Sequence, residues 1–459
     1  MKAVTRLLIP ALMIVIGSGM TWAQKARKLP VSAYIKSAKI EILSGEFERY
    51  QTAIAMLDSL FMHYGPHAEG LKLMGQIMVD LLEKTPNPSE KAPFLEKMVA
   101  YFDSLHMCCN NKDIKKSYRK GCKKYITIAD STVMKYWRQF FNAGVNQFNT
   151  AENLRNDLQN QTDTAIISRM ERDFQASVDS AILNMKLATI AIPDSARTYL
   201  IIDKAYGLKG EYQIGIDWLR KALDKSGDSA TIIPSIAYDY IQMNDYCGAI
   251  PYYKADAEMH PDDIATLTNL AICYHNCEMY DSAASIYRKV IALDPNNADM
   301  YFNLGFYYNI EAGMASDSAA KYQEEKNEKM ASTWRQKRDE AFDSARVYFK
   351  NAFELNPDDV SAAEQFGVVS VLRGNCEEAI KGFRRVVELQ PQQTDSWISL
   401  GDCYLTLKQF DDAIAAYEKV VKLNPRDIRV WEHLKDLYFE TGQKTKLAEA
   451  EKKLAELKQ

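Results

Sequence analysis

The chain has 459 residues, 47% of them apolar and 26% charged, with a formal net charge of −4. That balance belongs to a folded globular body and excludes a disordered or wholly membrane-embedded chain. Whole-chain charge is too near neutral for binding nucleic acid or an anionic membrane by electrostatics, so no nucleic-acid partner is expected.

The first element along the chain is a targeting segment. Lys2 and Arg6 precede an apolar run over residues 7–20, and "TWAQ" sets small Thr21 and Ala23 ahead of a cut before Gln24. The run has about 14 residues where a spanning helix needs about 20, so residues 1–23 are expected to be a cleaved signal peptide, leaving no stable membrane span. No Cys follows the cut, so no lipid anchor is expected and the mature chain is placed in the periplasm or outside the cell.

Residues 24–130 form a helical region with a thin pattern. "GEFERYQTAIAML" from Gly45 predicts a turn into a helix, Leu71, Met74, Gly75 and Met78 share a helical face, and "TPNPSEKAP" over residues 85–93 predicts a loop. Lys112, Lys115, Lys116, Arg119, Lys120, Lys123 and Lys124 follow within thirteen residues, as either a solvated face or an anion-binding site. Cys108, Cys109 and Cys122 surround this basic stretch and are possible disulfide partners. Zinc with nearby His106 ranks lower, because exported thiols oxidise.

From there the chain repeats. Pro261 to Pro295, Pro357 to Pro391 and Pro391 to Pro425 are each 34 residues, and Pro193 to Pro261 is 68. Twelve residues before each of five Pro stands an Ala, with an aromatic four further on: Ala249 and Tyr253, Ala283 and Tyr287, Ala345 and Phe349, Ala379 and Phe383, Ala413 and Tyr417. Earlier in the units an apolar residue, a small residue and a Tyr recur, as in Leu270, Ala271, Tyr274 and Leu400, Gly401, Tyr404. These spacings predict two helices per unit, the small residue allowing close approach and the Pro stopping the second helix. Two units are stretched: the small-to-Ala distance is 12 residues from Gly401 to Ala413, but 40 from Gly305 to Ala345 and 37 from Gly144 to Ala181. Inserts rich in helix formers and free of Pro predict lengthened helices projecting about 20 Å, with a charged loop as the alternative.

With these residues in view, the chain resembles the tetratricopeptide repeat family of exported bacterial type: "WISLGDCYLTLKQFDDAIAAYEKVVKLNP" carries the W-x2-L-G-x2-Y, A-x3-F and P pattern of that 34-residue unit. The resemblance implies an all-α fold, an α-solenoid of antiparallel helix pairs in a right-handed superhelix. Its expected divisions are a degenerate region over 24–130, a unit with insertion over 131–195, three units over 196–297, a unit with insertion over 298–359, two units over 360–427 and a capping unit over 428–459. The unit beginning at Ala196 departs from the pattern, with Asp203 in the small position and Gly215 in place of Ala.

Catalytic signatures are lacking: there is no G-x-S-x-G, no phosphate-binding P-loop and no H-E-x-x-H, so neither an enzyme nor a cofactor is expected. His63 and His67 have helical metal spacing, but Gly65 and Pro66 between them break the helix, and no metal is assigned. Cys273 and Cys277 share a helix face and are expected as core residues, with bridges from Cys247 to Cys277 and from Cys376 to Cys403 as alternatives.

In the resembling family the first helices line a concave wall, and an Asn before the apolar-small pair contacts bound peptide. Asn142, Asn269 and Asn303 match that position; Tyr238, Ile272, His275, Phe302 and Phe306 lie on the same face, so these eight form the candidate partner-binding groove. Glu364, Asp395, Asp402, Glu432 and Asp436 give later units an acidic wall, which favours a partner with a basic end. The expected function is an exported scaffold for a protein or peptide in cell-envelope assembly. The alternatives are a self-associating structural array, joined through the inserts, and an accessory subunit or enzyme with a site before residue 130.

Overall fold

The computed structural model describes residues 28–458, so the expected signal segment and cut lie outside the described residues. Among the described residues there are twenty α-helices and no strand. They divide into two compact units, one ending at Met243 and the other beginning at Asn244. In the first, helices pair in chain order: α1 (Val31–Ser44) with α2 (Phe47–Tyr64), α3 (Ala68–Lys84) with α4 (Ala92–Asn110), α5 (Cys122–Gln159) with α6 (Thr164–Ala191), and α7 (Ala196–Leu208) with α8 (Tyr212–Ser226), before α9 (Ser229–Gln242). The second opens with α10 (Tyr246–Met259). The pairs α11 (Ile264–Asn276) with α12 (Tyr280–Leu293), α13 (Ala298–Glu324) with α14 (Glu328–Leu355), α15 (Val360–Leu372) with α16 (Cys376–Leu389), α17 (Thr394–Thr406) with α18 (Phe410–Leu423), and α19 (Ile428–Glu440) with α20 (Lys444–Leu457) follow it. Within each unit this is the α-solenoid arrangement of antiparallel helix pairs.

The small residues sit where two helices meet. A Cβ on Gly305 would lie 2.8 Å from the Phe349 ring, and one on Gly401 2.6 Å from Tyr417, so each Gly makes room for the aromatic four residues after the conserved-spacing Ala of its partner helix. Gly75 faces Phe102 of α4 in the same way, placing the α3–α4 pair on the same plan. The long inserts are continuous helix: α13 and α14 have 27 and 28 residues where α15 and α16 have 13 and 14. Likewise α5 and α6 run to 38 and 28 residues.

The repeated ending does two jobs. The Pro closes one helix, and two residues later a side chain caps the next: Asp263 accepts from the Thr266 amide, Asn297 from Met300, Asp359 from Ser361 and Ala362, and Asp427 from Val430. Gln393 occupies the position after Pro391 without such a bond, having one methylene too many for the short cap geometry.

A second device ties neighbouring pairs together. Twenty residues apart, Lys186 donates to the Tyr206 hydroxyl at 2.9 Å, Arg220 to Tyr240 at 2.8 Å, Arg288 to Tyr308 at 2.9 Å and Arg384 to Tyr404 at 2.8 Å. At the last pair the polarity reverses, Tyr438 donating to Glu418 at 2.9 Å. Each bond links a second helix to the next first helix and contributes about 1 kcal/mol. At their entry the first helices are fixed by Trp397, Trp431 and Tyr199, which donate to the carbonyls of Pro391, Pro425 and Pro193.

Sulfur chemistry follows one of the alternatives open in the sequence. Cys109 is joined to Cys122 and Cys247 to Cys277, so Cys277 is a bridge residue and not a core thiol. Cys108, Cys273, Cys376 and Cys403 are free and buried. Burial pushes the Cys108 and Cys273 thiols up to about 11, and burial with the neighbouring Cys376 pushes Cys403 to about 12. Oxidised native protein is therefore expected to leave all eight cysteines silent towards a thiol reagent, with four appearing on unfolding and eight after unfolding with reductant. Cys277→Ser, which opens a 30-residue loop, is expected to cost about 3 kcal/mol. Six thiols on unfolding without reductant would mean that one bridge does not form.

Candidate functional site

The face of each first helix opposite its own partner helix is built by the repeat register. In the second unit the apolar-small pairs turn inward, leaving the residue just after the small one outward: Ile272, Phe306, Val368, Asp402 and Asp436 are all exposed. Successive helices present these residues side by side, since the ring of His275 on α11 lies 5.8 Å from Phe306 on α13. His275 also stands 5.6 Å from Tyr280 and within 3.4 Å of the Tyr287 hydroxyl, and burial lowers its pKa, so the imidazole is a neutral part of an aromatic cluster.

Placement of the candidate residues differs along the chain. In the first unit Asn142 on α5 is exposed and Tyr238 on α9 is 56% exposed. In the second unit Ile272 and Phe306 are exposed, while Asn269 and Asn303 are half-buried beside them. Phe302 is also half-buried, its ring 5.5 Å from Phe349, so it backs the wall instead of forming its surface.

Two of the five carboxylates of the expected acidic wall are paired with cations of the protein itself. Glu364 accepts from Gln393 at 2.8 Å, Asp402 from the Tyr417 hydroxyl, Glu432 is paired with Lys458 at 2.8 Å and Asp436 with Lys435 at 3.0 Å. Lys458 and Lys435 offset the charge of Glu432 and Asp436, whereas the neutral Gln393 and Tyr417 orient Glu364 and Asp402 without cancelling theirs. The apolar surface also continues into this region: Val368, Val371 and Leu372 of α15 are exposed, at 38%, 42% and 55%. Sequence reasoning missed these three. The register would have found them, because Val368 and Val371 follow Gly367 by the same one and four residues as Ile272 and His275 follow Ala271.

The two His with metal spacing have other work. His67 caps α3, accepting from the Gly70 amide at 3.4 Å, and His63 lies near Tyr34. His106 is bonded to Asp130 at 2.7 Å. Among the described residues no cluster of three or more metal-ligand side chains occurs, and no helix is long and apolar enough to cross a membrane.

Helix pairs in this register define a class, the helical-repeat proteins, and the comparison with known families narrows it. Tetratricopeptide repeat family models match residues 394–427 and 266–301. At these two places the chain carries tetratricopeptide repeats. Among solved structures, it is similar to YrrB, described as a tetratricopeptide repeat protein with an unusual peptide-binding site, at 21% identity over 48% of this chain and 97% of that one, with a TM-score of 0.33. It is also similar to a tetratricopeptide repeat protein from Parabacteroides merdae, at 16% identity over 57% and 93%, with a TM-score of 0.33. The C-terminal part of a repeat-containing protein from Cytophaga hutchinsonii matches at 17% identity over 57% and 95%, with a TM-score of 0.38. No curated protein matches the chain significantly.

Proposed function

We propose that the chain is an exported scaffold that holds a protein or peptide partner in cell-envelope assembly, along the outward face of its first helices. The observation that carries this reading is the row Ile272, Phe306 and Val368, extended by Val371 and Leu372, left in water on consecutive first helices of the second unit. Exposed apolar surface repeated in register is costly to keep in a soluble chain unless a partner covers it. Asn269 and Asn303 beside the row can both donate to and accept from an extended backbone. Export rests on residues 1–23, and two disulfides suit an oxidising compartment.

A photo-crosslinker placed at Phe306 or Val371 is expected to trap a defined protein adduct in cells, and one at Lys381 on α16 is not. The double substitution Phe306→Asp and Val371→Asp is expected to weaken capture of that partner at least tenfold with an unchanged melting curve. Equal adducts from both faces would dismiss the wall as the binding surface.

A further inference from the structure

We propose that the basic segment over residues 112–124, made of the loop closed by Cys109–Cys122 and the first turn of α5, is a docking surface for an anionic phospholipid membrane. Its seven cations against the single carboxylate of Asp113 give the segment a charge of +6 in a chain of −4, so all other residues together carry −10. The near-neutral total therefore hides a strong segregation of charge. Lys112, Lys115, Lys116, Lys120, Lys123 and Lys124 are all exposed. Among the described residues none of them pairs with a carboxylate, although the chain has acidic groups to spare.

The loop is also held in place. Cys109–Cys122 closes its ends, the Arg119 guanidinium donates to the Ile114 carbonyl at 3.1 Å, and the Tyr118 ring lies 5.3 Å from His67 and 6.4 Å from Tyr64. Six like charges are thus kept close together where free chain would spread them apart. Concentrated charge of this kind has its largest effect at a surface of opposite sign within a Debye length.

Two features favour lipid over an acidic protein. Six of the seven cations are Lys, a hydrated point charge suited to a diffuse anionic surface, whereas paired recognition of carboxylates favours the fork of Arg. A shallow depression beside the loop, lined by Arg119, Lys123, Lys124, Thr127 and Ile128, sets cations against an apolar side chain, as the phosphate and glycerol of a headgroup require. The chain also enters the described structure here: the Tyr64 hydroxyl donates to the Leu29 carbonyl at 2.7 Å and Lys28 lies 4.7 Å from the Tyr64 ring, on the tyrosine that touches Tyr118.

The test is flotation of the full chain with phosphatidylcholine vesicles, with and without about one-third phosphatidylglycerol. At least tenfold more bound protein is expected on the anionic vesicles, lost at about 0.5 M salt. The triple variant Lys115→Glu, Lys120→Glu and Lys124→Glu should lose that preference. A control triple at Lys321, Lys326 and Lys329, exposed on the α13–α14 hairpin, should keep it. Circular dichroism melts of both variants should match the parent, since every changed residue is exposed. Equal binding to neutral vesicles, or an anionic preference surviving in the loop triple, overturns the proposal. So does loop-dependent binding of polyglutamate with no vesicle binding, which would assign the surface to an acidic protein.

Discussion

Replacing Gly382 by Ala is expected to destabilise the second unit by about 2 kcal/mol, although Ala is the better helix former by about 1 kcal/mol. A Cβ at that position would sit 2.4 Å from the Ala363 carbonyl oxygen and 2.9 Å from the Gly367 amide nitrogen. Both obstacles are backbone, so no rotamer change can relieve them and α15 and α16 must move apart. That separation loosens the contact of the Phe383 ring with Gly367 in the same helix pair. Gly313 is the internal control: it lies in α13, nothing stands within 4 Å of its Cβ position, and Gly313→Ala should stabilise by up to about 1 kcal/mol. Denaturant titrations of both variants decide the matter, and a Gly382→Ala midpoint equal to the parent's would show that the two backbones do not lie this close.

The contrast between these glycines marks what the sequence could disclose. Gly305 and Gly401 were legible because they recur in register beside an apolar residue, and an aromatic at fixed distance on the next helix fills the space. Gly382 has no such signature, since what it meets is a carbonyl of the facing helix and not a side chain with its own period. The wall was legible as a face but not as a chemistry. Asp402 and Glu432 read as unpartnered until the structure supplies the Tyr417 hydroxyl from α18 and Lys458 from just past the end of α20. Val368 was passed over because Val in a helix of nearly continuous apolar sequence gives no contrast between buried and exposed sides. The two departures in the unit beginning at Ala196 were visible as separate oddities, and only three-dimensional placement shows that they answer one another.

Those departures lead to the other large effect, the pH dependence of the first unit. Asp203, 6% exposed, takes the small residue's place on α7, and Gly215 takes the Ala's place on α8, so the room has moved from one helix to the other. Asp203 Oδ1 lies 2.4 Å and Asp239 Oδ2 3.4 Å from where a Gly215 Cβ would be, and neither oxygen has another hydrogen-bond partner. Two buried carboxyls aimed at one small space are best satisfied by sharing a proton. Burial first, then the hydrogen bond and charge of Asp203, push Asp239 up to about 9; burial raises Asp203 as well, with the hydrogen bond from Asp239 and then the charge of Lys204 opposing. Because the folded chain keeps a proton that the unfolded chain releases near pH 4, stability from this pair is complete below that pH and declines as pH rises towards 9. Asp239→Asn keeps a donor towards Asp203 and removes that titration. It should therefore flatten the decline and, at pH 8, make the first unit more stable by about 1–3 kcal/mol. Asp203→Ala with Gly215 retained should instead leave a cavity and a lone buried carboxyl, and lower stability at every pH. Urea unfolding followed between pH 5 and 9 separates the cases: parallel profiles for the parent and Asp239→Asn would mean that the two carboxyls titrate independently and that no proton is held between them.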